Sequence, residues 1–403
     1  MTRGDRAETQ AAADVAPSPI PGISRPVFLL SIVSFLTDIS SEMTYPLMPL
    51  FLTSVLGAPL AAVGLIEGVA ESSASVIKTA SGWLSDRLRV RKPLVVLGYG
   101  LSAVAKPLLA AAQVWPAALG VRFLDRAGKG VRTAPRDALL ADVTQPQSRG
   151  LAFGFHRGAD TLGAVLGPGI GLGLLAALDE DFRLVFLLAF IPAAAGVLFL
   201  ALVRERKPPP PAAHEEAVPI RELGVVFYLF LGVSLVFALG NSSDIFLILR
   251  AKDLGLSNTG AVSAYIVYNV TYAAASVPAG IASDRLGRRN VIAAGFLVFA
   301  GVYLGFGFAS TSAAVWPLFA VYGLYMALTE GVGRALIADS VPARSRGTAL
   351  GLYTGAMGAM ILLSSVLAGL LWDEVGPAAP FFLGGATGAA ALVLLLALLP
   401  RSR

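Results

Sequence analysis

The sequence predicts an all-α integral membrane protein, with twelve membrane-spanning helices in two pseudo-symmetric six-helix bundles. Three observations carry that reading. First, 56% of the 403 residues are hydrophobic and only 14% are charged, where a soluble domain has about 25% charged residues. A mean hydropathy of +0.72 over this length is too apolar for a soluble core. Second, apolar runs of about 20 residues, the length that crosses a bilayer, recur twelve times. They lack the period-2 alternation of barrel strands, so they are helices whose backbone groups are satisfied internally. Third, the halves repeat. SDRLRVRK at 85–92 matches SDRLGRRN at 283–290, an offset of 198, and ALLADVTQPQSRG at 138–150 matches ALIADSVPARSRG at 335–347, an offset of 197. Parallel repeats of this kind build two domains that rock about a site at the midplane.

Residues 1–24 have basic groups but no apolar run behind them, so they read as a disordered tail and not a signal peptide. The first bundle, 25–203, holds spans near 26–55, 60–84, 93–113, 117–141, 151–177 and 184–203. A connector with four consecutive prolines and His214 follows at 204–222, extended and too short to fold. The second bundle, 223–403, holds spans near 223–250, 259–281, 291–310, 314–339, 347–372 and 378–400.

The loops fix orientation. Arg87, Arg89, Arg91 and Lys92, then Arg204, Arg206, Lys207 and Arg221, then Arg285, Arg288 and Arg289 lie on one side. Only Arg183, Arg250 and Lys252 lie on the other. The positive-inside rule places the richer side, and both termini, in the cytoplasm. The net charge of +5 is thereby assigned to membrane orientation and not to nucleic acid. There is no cysteine, and the two histidines, His156 and His214, are too few for a multi-His metal site. No cofactor is expected.

The fourth span is the exception to the apolar pattern. Arg122, Asp125, Arg126, Lys129, Arg132, Arg136 and Asp137 fall within roughly 140° of one another on a helix. Ionisable groups at this depth face a bundle interior or an aqueous cavity. Ala127, Gly128, Thr133, Ala134 and Pro135 on the opposite face suit close helix packing. The expectation is a charged face lining a polar cavity.

The second half carries Gly280, Asp284, Arg285, Gly287, Arg288 and Arg289, spaced G-x-x-x-D-R-x-G-R-R. The first half keeps Gly82, Asp86 and Arg87, then departs, with Arg89 in the glycine place and Val90 in the arginine place. In the fourth span, Arg126, Lys129 and Gly130 fit R-x-x-[Q]-G with Lys for Gln. In the fifth, Gly163, Gly167, Pro168 and Gly171 fit G-x-x-x-G-P-x-x-G. On these motifs the chain resembles the major facilitator superfamily over essentially its whole length. The fifth-span pattern is similar to that of its proton antiporters, most of them exporters, and DRAGKGVRTAPRDAL at 125–139 looks like a bacterial subfamily. The resemblance implies alternating access, a latch at Asp86 and Arg87 that holds the halves together when the cavity faces outward, and a monomer in the bacterial inner membrane.

Several residues carry candidate chemistry. Asp38 and Glu42 sit one turn apart on the first span, with Ser34, Ser41 and Tyr45 near the same face. They read either as proton-coupling groups or as permanent partners of the fourth-span arginines. Asp160 and His156 on the fifth span are further proton candidates. Arg126 and Lys129 are the first choice for the cavity, with Asp125 and Glu71; Glu71 and Lys78 share a face and read as a structural pair. Arg136, Asp137 and Asp142 read as gate partners of Asp86 and Arg87, and Asp339 as the counterpart in the second half. Glu330 and Arg334 read as an intrahelical pair. Asn241, Ser242, Ser243 and Asp244 interrupt the seventh span. Tyr265, Tyr268, Asn269 and Tyr272 line the eighth, Tyr268 and Asn269 being the cargo candidates there.

The expected function is proton-coupled export of small amphipathic compounds, powered by the proton gradient. The partners are the lipid bilayer, protons and a small molecule. The alternatives are a carrier of a phosphorylated or carboxylated anion and, in another class, a membrane sensor that does not transport. No nucleotide loop, metal cluster or nucleophile–base pair points to an enzyme.

Overall fold

The structure is a computed structural model that describes residues 23–88, 90–144, 149–203, 223–342 and 345–399. The predicted tail at 1–22, the connector 204–222 with His214, and the side chain of Asp86 lie outside the described residues. Twelve helical spans are present, as the apolar runs predict, and there is no strand among the described residues. In the first half they are α1 (Arg25–Thr44), α2 (Leu60–Leu88), α3 (Lys92–Ala111), α4 (Trp115–Asp142), α5 (Arg149–Ala177) and α6 (Phe182–Ala201). In the second they are α7a (Val225–Gly240) with α7b (Ile245–Asp253), α8 (Asn258–Leu286), α9 (Arg288–Phe308), α10 (Val315–Ser340), α11 (Arg346–Glu374) and α12 (Ala379–Leu398). Ten spans are long and apolar enough to cross a membrane by composition alone; α4 and α8 fall short because of their polar residues.

Two spans are broken, each for a visible reason. Beyond α1 the chain passes through a 3-10 turn at Tyr45–Leu47, a turn at Met48–Leu50 and a π turn at Phe51–Val55. Pro46 and Pro49 remove two helix donors there, and their rings crowd the preceding turn. In the seventh span the backbone leaves the helix at Asn241, with φ −90° and ψ 79°, as the polar NSSD run predicts.

The repeat is confirmed by contacts. Arg91 Nε donates to Asp142 at 2.5 Å, and Arg288 Nε donates to Asp339 at 2.5 Å; both members of the second pair lie 197 residues after those of the first. Lys92 Nζ donates to the carbonyls of Ala201 and Val203 at the end of α6, as Arg289 does to those of Leu395 and Leu396 at the end of α12. Cations at helix C-termini satisfy the last carbonyls. The contacts also refine the alignment. Arg91 and Lys92 correspond to Arg288 and Arg289, so the offset falls from 198 to 197 between Leu88 and Arg91, where the first half departs from the motif.

The face that carries Arg91 and Arg288 is called here the basic face. At the opposite, far face the halves are in contact. Asp373 of α11 accepts from the amides of Leu60 and Ala61 at 3.2 and 2.8 Å, and Asn258 Nδ2 donates to Glu180 at 2.9 Å. The α2–α11 crossing is glycine-mediated: Gly369 lies on Leu60, Gly64 on Ser365, Gly68 on Leu362 and Gly358 on Ser75. Toward the basic face this contact stops. Gly355, Gly351 and Gly347 of α11 and Gly280 of α8 face open space, as do Gly154 and Gly158 of α5. The molecule is therefore closed at the far face and open at the basic face.

Candidate functional site

The charged arc of α4 does not line the cavity as a whole, which corrects the expectation. It is wedged between α2 and α3. Arg122 meets Glu67 of α2 in a two-pronged pair, Nε to Oε1 at 2.7 Å and Nη2 to Oε2 at 3.1 Å, with Glu67 fully buried. One turn on, Arg126 pairs with Glu71 at 3.0 Å. On the other edge of the arc, Asp125 accepts from Lys106 of α3 at 3.1 Å and from Arg122 at 3.3 Å. Arg132 donates to Ser102 at 2.6 Å and stacks over Tyr99, and Arg136 donates to Ser34 at 2.9 Å and pairs with Asp137 at 2.8 Å. Gly128 against Gly98 and Gly130 against Ala74 let both neighbours come close. Lys129, at the middle of the arc, is the one that emerges exposed, on the side of Glu71 and Asp38.

Four expectations change accordingly. Asp125 is buried inside the first bundle and is not a cavity group. Glu71 pairs with Arg126, and Lys78 is exposed with no ion pair among the described residues. Asp142 pairs with Arg91 of the α2–α3 loop, while Arg87 stacks over Trp83 at 5.1 Å. Arg136 and Asp137 pair with each other instead of with that loop. In the second half Asp284 pairs with Arg288 at 3.3 Å, whereas Arg285 is exposed.

Asp38 and Glu42 are half-buried, and neither has an ion pair or hydrogen bond among the described residues. The fourth-span arginines are taken up elsewhere. Charges of α4 nevertheless stand within electrostatic reach, Lys129 foremost. Behind the two acids runs the glycine pattern of α5. A methyl group placed on Gly163 would stand 2.7 Å from the Phe35 carbonyl, on Gly167 2.6 Å from Glu42 Cβ, and on Gly171 2.5 Å from the Met43 carbonyl. Pro168 lies inside the same helix. Gly82 is less tightly placed: a methyl group on it would stand 3.2 Å from Ala134 Cβ.

His156 is buried beside α1, its Nδ1 3.5 Å from Ser31 Oγ and its Nε2 3.8 Å from Asp160. Among the described residues neither His156 Nε2 nor Asp160 Oδ1 has a hydrogen-bond partner. Arg157, largely exposed, lies 3.6 Å from Asp160.

The second half presents an aromatic wall. Tyr268 and Tyr322 donate to Asp244 at 3.3 and 2.6 Å. Tyr272 donates to Glu330 at 2.6 Å, and Glu330 pairs with Arg334 at 3.1 Å, as expected from their spacing. Asn269 donates to the Tyr265 carbonyl at 3.1 Å. Tyr45 joins the two halves. Its ring lies 5.9 Å from that of Tyr265 and beneath the guanidinium groups of Arg122 and Arg126, at 5.5 and 5.7 Å. A recess of about 350 Å³ between α8 and α10, lined by Tyr272, Ser276, Gly280 and Gly331 among others, opens the wall toward the basic face.

Sequence reasoning missed the two rungs between α2 and α4. The signal was present: Glu67 and Glu71 are spaced as Arg122 and Arg126 are, at a constant difference of 55, as parallel neighbouring helices require. It also missed Asp373, which carries no motif.

The comparisons agree with this geometry. The family model described as Major Facilitator Superfamily matches residues 30–267 and 223–403. An uncharacterized MFS-type transporter of Methanocaldococcus jannaschii is 36% identical over 380 residues, 93% of this chain and 95% of its own. The tetracenomycin C resistance and export protein of Streptomyces glaucescens is 30% identical over 136 residues, 34% of this chain and 25% of its own. Among solved structures, that of a peptide transporter superposes with a TM-score of 0.79 at 17% identity, covering 97% of both chains. With twelve spans in two repeated bundles and a match over nearly its full length, this chain belongs to the Major Facilitator Superfamily of membrane transporters.

Proposed function

We propose that the chain is a proton-coupled antiporter that exports small amphipathic compounds by alternating access, with the basic face in the cytoplasm of a bacterial cell. The observation that carries this reading is the state of Asp38 and Glu42. Among the described residues these two carboxyl groups at membrane depth have no counter-ion in contact, while Glu67, Glu71, Asp125, Asp137 and Asp160 each have an arginine or lysine within 4 Å. Unpaired ionisable groups at this depth are where a transporter can take up and release a proton. Asp160, whose charge acts on Asp38, and His156, set against Ser31 of α1, are the candidates for passing it on. Binding of a proton removes charge from α1 at the place where α5 packs closest, so protonation is coupled to the packing of the helices that must rock.

The closed far face and open basic face fit one end state of alternating access. The aromatic second-half wall facing a charged first-half wall suits an amphipathic cargo. The likeness to an export protein supports the direction. The sensor reading finds no support, since the relatives bear transporter names.

The test is uptake into everted membrane vesicles with an imposed pH gradient, using amphipathic dyes. Dye accumulation driven by an acid interior, and collapse on adding a protonophore, is the expected result. Accumulation indifferent to the gradient overturns the reading.

A second reading, an anion carrier, draws on one observation. Among the described residues Arg126 Nε is buried without a hydrogen-bond partner, and the exposed Lys129 has no ion pair. Binding of a phosphorylated or carboxylated metabolite, lost in Arg126→Ala, is the result that would favour it.

A further inference from the structure

We infer that Asp244 and the tyrosines around it form a binding site for an organic cation, the ammonium-type headgroup of the carried compound. This rests on the reading that the cargo is a small amphipathic molecule.

The site follows from the break in the seventh span. Gly240 ends α7a packed against Gly384 and Thr387 of α12, and the chain then unwinds through Asn241, Ser242 and Ser243. Ser364 donates to the Asn241 carbonyl at 3.2 Å, and the Ser243 amide donates to Ser365 at 3.2 Å. The exposed backbone of the break is thus satisfied by α11 and does not need Asp244. The Asp244 carboxylate turns away from its own helix and makes no cap bond to α7b. It is half-buried and held by the phenol groups of Tyr322 and Tyr268.

Among the described residues no cation pairs with it. Arg250 is occupied by Asp253 and by the carbonyls of Phe306 and Ala309, and Arg334 by Glu330. Across the cavity, Arg122 and Arg126 are paired with Glu67 and Glu71, and the Tyr45 ring stands over both. The charged groups that act on Asp244 most strongly are Glu330 and Glu71, carboxylates both.

The surroundings of the charge are rings. Tyr268 is 5.3 Å from Tyr265 and 5.1 Å from Tyr322, and Tyr265 is 5.9 Å from Tyr45. A carboxylate held by two phenol hydroxyls at the edge of a ring cluster attracts a cation by charge, and the neighbouring ring faces can add their quadrupoles. A metal ion would require several oxygen ligands, and the site supplies one carboxylate and neutral phenols. An organic cation, with apolar groups to lay against rings, is the fit. The ring cluster adjoins the recess: Tyr272, stacked 6.4 Å from Tyr268, also lines the recess that opens to the basic face.

The test compares two ions of nearly the same shape and opposite charge, tetraphenylphosphonium and tetraphenylborate. Saturable binding to the purified full-length protein in nanodiscs is measured above that of protein-free discs. The wild type is expected to bind tetraphenylphosphonium and to discriminate against tetraphenylborate. Asp244→Asn should lower tetraphenylphosphonium affinity by about tenfold or more, and Asp244→Glu should restore most of it. Equal binding of the two ions by the wild type, absence of tetraphenylphosphonium binding, or unchanged affinity in folded Asp244→Asn each overturns the assignment. The preference between ions is read on the wild type, so it decides even if the variant does not fold. Nothing in the measurement depends on a proton gradient, so a failure of proton coupling and a failure of this site are separately visible.

Discussion

Gly167 of α5 lies so close to Glu42 of α1 that a methyl group added to it would stand 2.6 Å from Glu42 Cβ. The glycine sets the distance between the helix bearing the unpaired carboxyl groups and the helix bearing His156 and Asp160. Replacing it with alanine forces α1 and α5 apart at the proposed proton site. Gly167→Ala should cost about 1–3 kcal/mol, read as a lower melting temperature in detergent, and should impair gradient-driven transport. Gly169→Ala, two residues away and facing open space, is the control and should change neither.

The ladder between α2 and α4 has two unlike rungs. Glu67 and Arg122 are both sealed from solvent, whereas the Glu71 side chain is 31% exposed. Removing one member of a sealed pair strands the other charge. Glu67→Gln should therefore destabilise the protein by about 3–5 kcal/mol. Glu71→Gln should be milder in stability and felt instead in cargo handling. Thermal unfolding of the two purified variants, followed by transport of whichever folds, separates the effects.

At the far face, Asp373 bonds the otherwise free amides at the start of α2 from the opposite half. Opening on that side must break both bonds. Asp373→Ala should shift the population toward the outward-open state. The chain has no cysteine, so a single Ser365→Cys, buried where Gly64 crosses α11, reports this directly. A membrane-impermeant maleimide applied to the far face should label it about tenfold faster in the Asp373→Ala background. Equal rates would show that the contact does not hold the closed state.

His156 is buried with Ser31 and Asp160 as its polar neighbours, and Arg157, Arg136 and Asp137 act on it at longer range. If it passes protons, His156→Gln should move the pH profile of transport; a profile that only drops in height, without shifting, assigns the residue to packing.

Much of this architecture was legible in the sequence for simple reasons. Apolar run length marks spans because lipid leaves a helix no alternative. The NSSD interruption marked the break in the seventh span, since Asn, Ser and Asp compete for backbone hydrogen bonds. The glycine pattern of α5 marked a close crossing, though not that its partner was the Asp38–Met43 stretch. The fate of the α4 charges was not legible from its own helical wheel. A wheel shows that seven charges share an arc, not that neighbours clasp both edges of it and leave Lys129 between. Lys78 shares a face with Glu71 but lies two turns away, and Arg126 of the adjacent helix is nearer. Asp373 escaped notice because a carboxylate that caps a helix of the other half leaves no local trace. The i,i+4 spacing puts Asp38 and Glu42 on one face, while the absence of a partner among the described residues could only come from the packing.

In the proposed mechanism Asp38 and Glu42 carry the protons. The direct measurement is transport in proteoliposomes containing wild type, Asp38→Asn, Glu42→Gln or the double variant, with and without an imposed pH gradient. The variants should lose gradient-driven accumulation and keep downhill exchange of the same compound. Wild-type accumulation in the double variant would contradict it.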